Sequence, residues 1–342
     1  MITVYSDKHR LHNGRGELND GQIMPCFENP NRVDAILARV KSQDLGEVIK
    51  PLEFFNDAIL RVHTRDYISF LEKAWEQWTK LHGDIDAFPL IWPVRGLRQV
   101  CPEHIDGKIS FYAMDAGTPI TAGTYEAVIS TAKVALTAQK LIADGEYSAF
   151  ALCRPPGHHA SKDVYGGYCF LNNAAIAAQA FIDQGANKVV VLDVDYHHGN
   201  GTQDIFYSRD DVMFISIHAD PKMEFPYFLG YAEEKGQAKG EGFNHNFPLP
   251  FGTASEKWFE ALEAALKLIT AYAPDALVVS LGVDTFEGDP ISEFKLKTID
   301  YSPIGKLIAS LKLPTLFVME GGYDVAEIGV NTVNVLSGFE GG

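Results

Sequence analysis

The sequence predicts an α/β protein built on a parallel β-sheet, and three observations carry that expectation. Short apolar runs rich in Val, Ile and Phe recur without polar alternation, the pattern of strands buried on both faces. Segments of helical periodicity separate them, which is the order of right-handed βαβ units covering both faces of a sheet. Several of the runs end in Asp or His, where an open α/β sheet places its ligands.

Along the chain the strands are expected at Ile2–Tyr5, Tyr147–Cys153, Lys188–Asp195, Val212–His218, Ala276–Asp284 and Thr315–Glu320. A helix is expected over Thr124–Ala143, with Val128, Ala132, Leu136 and Leu141 as its apolar positions and Asp144-Gly145 as a left-handed stop. A second spans Ser255–Tyr272, with Trp258, Leu262, Leu266 and Ile269 on one face; Thr253-Ala-Ser-Glu256 has the spacing of a capping box. Between the first strand and the first of these helices, His82–Pro119 is rich in Pro, Gly, Trp and Asp and is weakly periodic. It is longer than structureless connections usually are, so it reads as a functional loop or interaction element. No repeat, flexible linker or charge block divides the chain, so residues 1–342 are expected to form a single domain.

Composition narrows the function. With 46% hydrophobic and 22% charged residues the chain is neither disordered nor collagen-like nor a coiled coil. Forty-five acidic against 29 basic residues leave a net charge of −16, which repels phosphate backbones and anionic lipid and draws cations, so a basic substrate such as an amine is expected rather than nucleic acid or membrane. The N-terminus lacks the apolar core of a secretory signal and no window has the length of a spanning helix, so a cytoplasmic location is expected. Cys26, Cys101, Cys153 and Cys169 lie far apart without a CxxC pair, which suits reduced thiols better than disulfides or a cysteine zinc knuckle.

The chemistry gathers where the runs end. In Asp193-Val-Asp195-Tyr-His197 the period of a strand puts three ionisable groups on one side. Burying them is costly without compensation, and a metal ion is the economical explanation, set against a plain Asp–His network capping a strand. Asp284 ends another run, before the exposing turn Thr-Phe-Glu-Gly-Asp289-Pro290, and is placed to complete a site with Asp195 and His197. Three oxygen and nitrogen ligands leave a position open for water. Pro155-Pro156-Gly157 presents His158 and His159 from rigid backbone, and a histidine of ordinary basicity can act there as general base. In Glu320-Gly-Gly-Tyr323 the glycines let the chain turn sharply and bring a phenol to the same crevice, where it can donate to an oxyanion; a core tyrosine is the plainer alternative. His9, His12, His63, His82, His104, His198, His218 and His245 read as structural. No GxGxxG, P-loop or GxSxG pattern is present.

Five ordered motifs, PPGHHA at 155–160, GYCFLNNAAIAA at 167–178, DVDYHHGNGTQDIF at 193–206, GVDTFEGDP at 282–290 and EGGY at 320–323, resemble the zinc-dependent deacetylases of the arginase–deacetylase superfamily. The acidic charge and the 82–119 loop are most similar to its bacterial acetylpolyamine amidohydrolases. The resemblance implies a central eight-stranded parallel sheet flanked by helices and a zinc ion on Asp195, His197 and Asp284, a set that also suits iron(II). It implies His158 and His159 as the catalytic pair, Tyr323 polarising the carbonyl, and Asp193 orienting the first histidine. A structural potassium ion is implied at Asp193, Asp195, His197, Ser216 and Ile217. Gly167, Tyr168, Phe225 and Ile291 are implied as substrate-binding positions in a narrow tunnel. Glu103, Asp106 and Asp115 are expected to meet the distal charges of a polyamine, and the 82–119 segment, with Phe88 and Trp92, a second copy of the chain.

One position departs from the histone deacetylase pattern: Asn200 stands where those enzymes carry a second aspartate. An amide lends its histidine no full negative charge, which favours a neutral His159 as general base. The implied reaction is hydrolysis of an acetylated polyamine or other small acetylated amine to acetate and free amine. Alternatives are a protein lysine deacetylase, a binuclear manganese ureohydrolase, which needs a second carboxylate-rich ligand set, and a non-catalytic acetyl-ligand binding protein on the same fold.

Overall fold

In chain order the elements of the computed structural model are β1 (Ile2–Val4), β2 (Glu17–Asn19), β3 (Gln22–Met24), α1 (Asn31–Ser42), β4 (Val48–Ile49), α2 (Asp57–Leu60), α3 (Arg65–His82), α4 (Ile105–Phe111), α5 (Thr124–Ala143), β5 (Ser148–Ala151), α6 (Asn173–Asp183), β6 (Val189–Asp193), α7 (Asn200–Phe206), β7 (Val212–Ala219), β8 (Asn244–Leu249), α8 (Ser255–Tyr272), β9 (Ala276–Leu281), α9 (Tyr301–Ala309), β10 (Thr315–Met319) and α10 (Ile328–Glu340). The structure describes residues 1–54 and 57–342. Eight strands form one sheet in the order β4-β1-β5-β10-β9-β6-β7-β8, every pair parallel.

The apolar runs become central strands because both sheet faces are covered. Along β6, Val189 and Val191 enter a core with α3, α5 and α6, while Val190 and Leu192 enter the opposite core with α1, α8, α9 and α10. That is the period of two applied to a strand with no solvent face. On α8, Trp258, Leu262 and Ile269 are fully buried, as the helical period requires.

The six expected strands are all present, shortened at their carboxyl ends in five cases. The two helices, α5 and α8, have the expected bounds, and Gly145 takes φ 116° after α5. The expected capping box is absent: Ala254 is the N-cap of α8 without a side-chain bond, because the Thr253 hydroxyl donates to the Pro250 carbonyl instead (2.6 Å). Sequence reading missed the edge strands β4 and β8 and the hairpin β2–β3, whose Asp20-Gly21 turn has φ 49° and 76° at its two residues. Within the long loop, 83–104 forms no helix and only the isolated bridge Ala87–Ile120.

The strand order is what positions the site. β5, β10, β9 and β6 are adjacent in the sheet, and each delivers a chemistry-bearing segment at its carboxyl end: His158-His159, Glu320–Tyr323, Asp284 and Asp193–His197 respectively.

Candidate active site

Beyond β6 the chain leaves the ladder, and Asp193, Asp195 and His197 are held in sequence by their own backbone. Asp195 N–H donates to Asp193 Oδ1 (3.2 Å) and His197 N–H to Asp195 Oδ1 (2.9 Å). Asp284 Oδ1 accepts from Tyr196 N–H (2.8 Å), and Asp195 Oδ2 from Gly321 N–H (2.8 Å). Gly321 must lack a side chain, since a Cβ there would come within 2.5 Å of Oδ2 of both Asp195 and Asp284.

Asp195, His197 and Asp284 are buried, and their ligating atoms lie within 4.8 Å of one another. Burial, then the charge of Asp195, pushes Asp284 up to about 7. Burial opposes a charge on His197, but the two carboxylates outweigh it and raise that imidazole well above its ordinary value. Among the described residues no Lys or Arg pairs with either carboxylate; their ion-pair partners are His158 and His197. Two oxygen donors and one imidazole converging without a basic counter-charge fit a divalent cation.

The two histidines differ through their partners. His158 Nδ1 faces Asp193 Oδ2 at 3.0 Å, and His159 Nδ1 faces Asn200 Oδ1 at 2.7 Å. Burial works against a charge on His158, yet Asp195 and Asp193 overcome it and push it up to about 10. For His159, burial and then the neighbouring imidazoles lower it well below the ordinary range. The Asn200 amide nitrogen donates to the His159 carbonyl (3.3 Å), so its oxygen is the atom facing Nδ1. A neutral His159 therefore carries its proton on Nδ1 and leaves Nε2 as the basic nitrogen. Gly167 permits this ring its place, because a Cβ at 167 would lie 2.7 Å from His159 Cγ.

Tyr323 is buried beside the guanidinium of Arg32, whose Cζ lies 4.7 Å from the ring centroid. Burial holds its phenol far above the ordinary value, so it is a proton donor. His159, His197 and Tyr323 share a cavity of about 530 Å³ with Gly167, Tyr168, Phe225 and Ile291. Phe225 packs edge-on to His159 with centroids 5.0 Å apart. Ser216 pairs with Asp193 in the sheet register, with Ile217 next to it on β7.

The expected recognition acids need correction. Glu103 and Asp106 are not among the residues lining the cavity; Glu103 is exposed, and Asp106 is bonded to His82 Nε2 at 2.7 Å. Asp115 does line it, but its carboxylate accepts from Gly117 N–H (2.8 Å), Thr118 N–H (3.0 Å) and Gly167 N–H, and so anchors the Gly167-Tyr168 turn. The other carboxylates present are Glu17, Asp20, Glu224 and Glu293, all missed by sequence reading. Glu17 accepts from the Tyr168 hydroxyl (2.9 Å) and from Phe27 N–H (3.1 Å), and burial pushes it up to about 7. The Asp-Gly hairpin signal next to Glu17 was the clue available.

This arrangement of fold and site is that of a family. Residues 26–339 match the histone deacetylase domain, and the chain belongs to that family; it is a deacetylase, a hydrolase of acetyl amides. It is similar to acetylpolyamine amidohydrolase 2 of Pseudomonas aeruginosa, 59% identical over 100% of this chain and 99% of that one. It is also similar to the acetylpolyamine amidohydrolase of Mycoplana ramosa, 49% identical over the full length of both. Among solved structures, an acetylpolyamine aminohydrolase from Burkholderia pseudomallei superposes with a TM-score of 0.95 at 37% identity, covering 99% of this chain and 98% of that one.

Proposed function

We propose that this protein removes the acetyl group from acetylated polyamines, with one zinc ion held by Asp195, His197 and Asp284. The observation that carries the substrate class is the cavity lining: five carboxylates and, among the described residues, no Lys or Arg. Tyr168 and Phe225 offer aromatic faces that suit a methylene chain and attract an ammonium. The names of the relatives agree with this reading.

A zinc ion at this site supplies Lewis-acid polarisation of a carbonyl and acidifies a bound water. His159 Nε2, left free by the Nδ1 bond to Asn200, takes the proton from the attacking water and returns it to the leaving amine. His158 stays protonated against Asp193 and supports negative charge developing on the carbonyl oxygen, to which Tyr323 donates. Acetate and free amine result.

A potassium ion on Asp193, Asp195, His197, Ser216 and Ile217 would support these loops from beneath. The exposed Leu90, Ile91, Val94 and Leu97 support the 82–119 segment as the docking place of a second copy, which would narrow the tunnel mouth. Four free cysteines agree with a cytoplasmic enzyme. No helix is long and apolar enough to cross a membrane.

The test compares kcat/KM for acetylputrescine, acetylspermidine and an acetyl-lysine peptide, with metal analysis of the same preparation. The acetylated polyamines should lead, on protein carrying one divalent ion per chain. A peptide preference would overturn the substrate class.

A further inference from the structure

Two segments that must reach the same carbonyl come from neighbouring strands: the histidine turn after β5 and the tyrosine turn after β10. One residue joins them: Glu320 opens the tyrosine turn and its side chain bonds to the histidine turn. Glu320 is fully buried, and its Oε2 accepts from Gly157 N–H (2.6 Å) and His158 N–H (3.1 Å). Its Oε1 accepts from the Ser280 hydroxyl at the end of β9 (3.3 Å). Its main-chain carbonyl accepts from the Arg32 guanidinium (2.6 Å), which also donates to the Gly322 carbonyl (2.5 Å) and lies over the Tyr323 ring.

We propose that Glu320 is a positioning residue for the deacetylation, its side chain setting the backbone of the histidine pair relative to Tyr323. The sequence explains why the turn needs an outside acceptor. Pro155 and Pro156 have no N–H, so Gly157 and His158 carry the next backbone donors, and both are buried. Buried donors without a partner are rare, and losing this one would let the turn shift to find another. A displacement of about 1 Å in a reacting group can cost on the order of 10² in rate, while leaving substrate contacts in the tunnel untouched.

The role requires an oxygen acceptor at the reach of a glutamate side chain, not a negative charge. Glutamine keeps that reach, with its carbonyl oxygen toward the two N–H groups and its amide toward the Ser280 hydroxyl. Aspartate keeps the charge and loses one methylene. The experiment measures kcat, KM, Tm and metal content for the full chain and its Glu320→Gln, Glu320→Asp and Glu320→Ala variants, with acetylputrescine as probe. Glu320→Gln should stay within about threefold of wild-type kcat; Glu320→Asp and Glu320→Ala should fall about 10–100-fold, with KM within about twofold and metal content unchanged.

Wild-type kcat in Glu320→Asp, or Glu320→Gln impaired as severely as Glu320→Asp, would overturn the proposal; the second result would assign the effect to charge. These two variants decide the matter even if Glu320→Ala does not fold. The inference rests on the proposed reaction, and a wild-type protein with no turnover of the probe would overturn that reading first.

Discussion

At the scale of single residues the site works by giving like groups unlike partners. His158 and His159 are consecutive and their rings lie 4.0 Å apart, yet a carboxylate faces one and an amide the other. The carboxylates raise the basicity of one, while burial and the neighbouring imidazoles lower that of the other, the division of labour the proposed acid–base chemistry needs. In the proposed reaction Tyr323 donates its one hydroxyl to the carbonyl oxygen, so Tyr323→Phe should lower kcat about 10²–10³-fold with little change in KM. Steady-state kinetics near wild-type kcat would remove the phenol from the reaction. Glu17 makes a second prediction. Burial holds it up to about 7, so it becomes an anion only as pH rises through that value and attracts an ammonium better above it than below. KM for a cationic acetylated amine should therefore fall between about pH 6 and pH 8, and Glu17→Gln should raise KM about tenfold at the upper end and flatten the profile. The same KM–pH slope in wild type and variant would show that Glu17 does not meet the substrate.

At the scale of elements, legibility followed burial. β5, β6, β9 and β10 are buried at every position, so their sequences are mostly apolar runs, and the ionisable residues that follow them stand out as site candidates. β4 has only two residues, and β8 is a partly exposed edge strand containing Pro248, so neither leaves a continuous run. Glu103 and Asp106 are acids of the 82–119 loop and so were expected at the distal charges of a polyamine, but nothing local to an irregular loop tells which way it folds back. Glu17 and Asp20 reach the cavity on a hairpin far away in sequence, a long-range arrangement that periodicity does not encode. The helix α6 shows how such a contact also sets stability. Its N-cap residue Asn172 donates its backbone N–H to His63 Nε2 (2.9 Å), while His63 Nδ1 faces the Lys162 carbonyl. Nε2 must then be unprotonated, and burial accordingly lowers His63 to about 4. A histidine lowered in the folded state contributes stability that is present above its unfolded value of about 6.5 and is lost as pH falls toward about 4, because the unfolded chain binds the proton first. The stability advantage of wild type over His63→Gln should thus shrink by about 1 kcal/mol between about pH 7.5 and pH 5.5. Denaturant melts of both proteins at the two pH values measure it, and a pH-independent difference would remove His63 as the cause.

At the scale of the whole molecule, the charge of −16 and the acidic cavity act in the same direction on an incoming ligand. Mouth carboxylates act over hydrogen-bond distances and are screened little once a substrate is seated, whereas the field of the whole surface acts during approach and is screened within about 8–10 Å at ordinary ionic strength. The two contributions therefore separate by salt. If the surface guides a cationic acetylated amine to the tunnel, kcat/KM should fall several-fold between about 0.02 M and about 0.5 M salt, while kcat, measured on bound substrate, stays level. An acetylated alkylamine of equal length but without the distal ammonium should show a low and salt-independent kcat/KM, since it has neither long-range attraction nor a partner for the acids. Equal salt slopes for the charged and uncharged substrates would mean that salt acts on the protein itself and that the net charge serves solubility alone. A steep slope for the charged substrate only, surviving in Glu17→Gln, would assign capture to the surface field and leave the mouth acids to hold what it delivers.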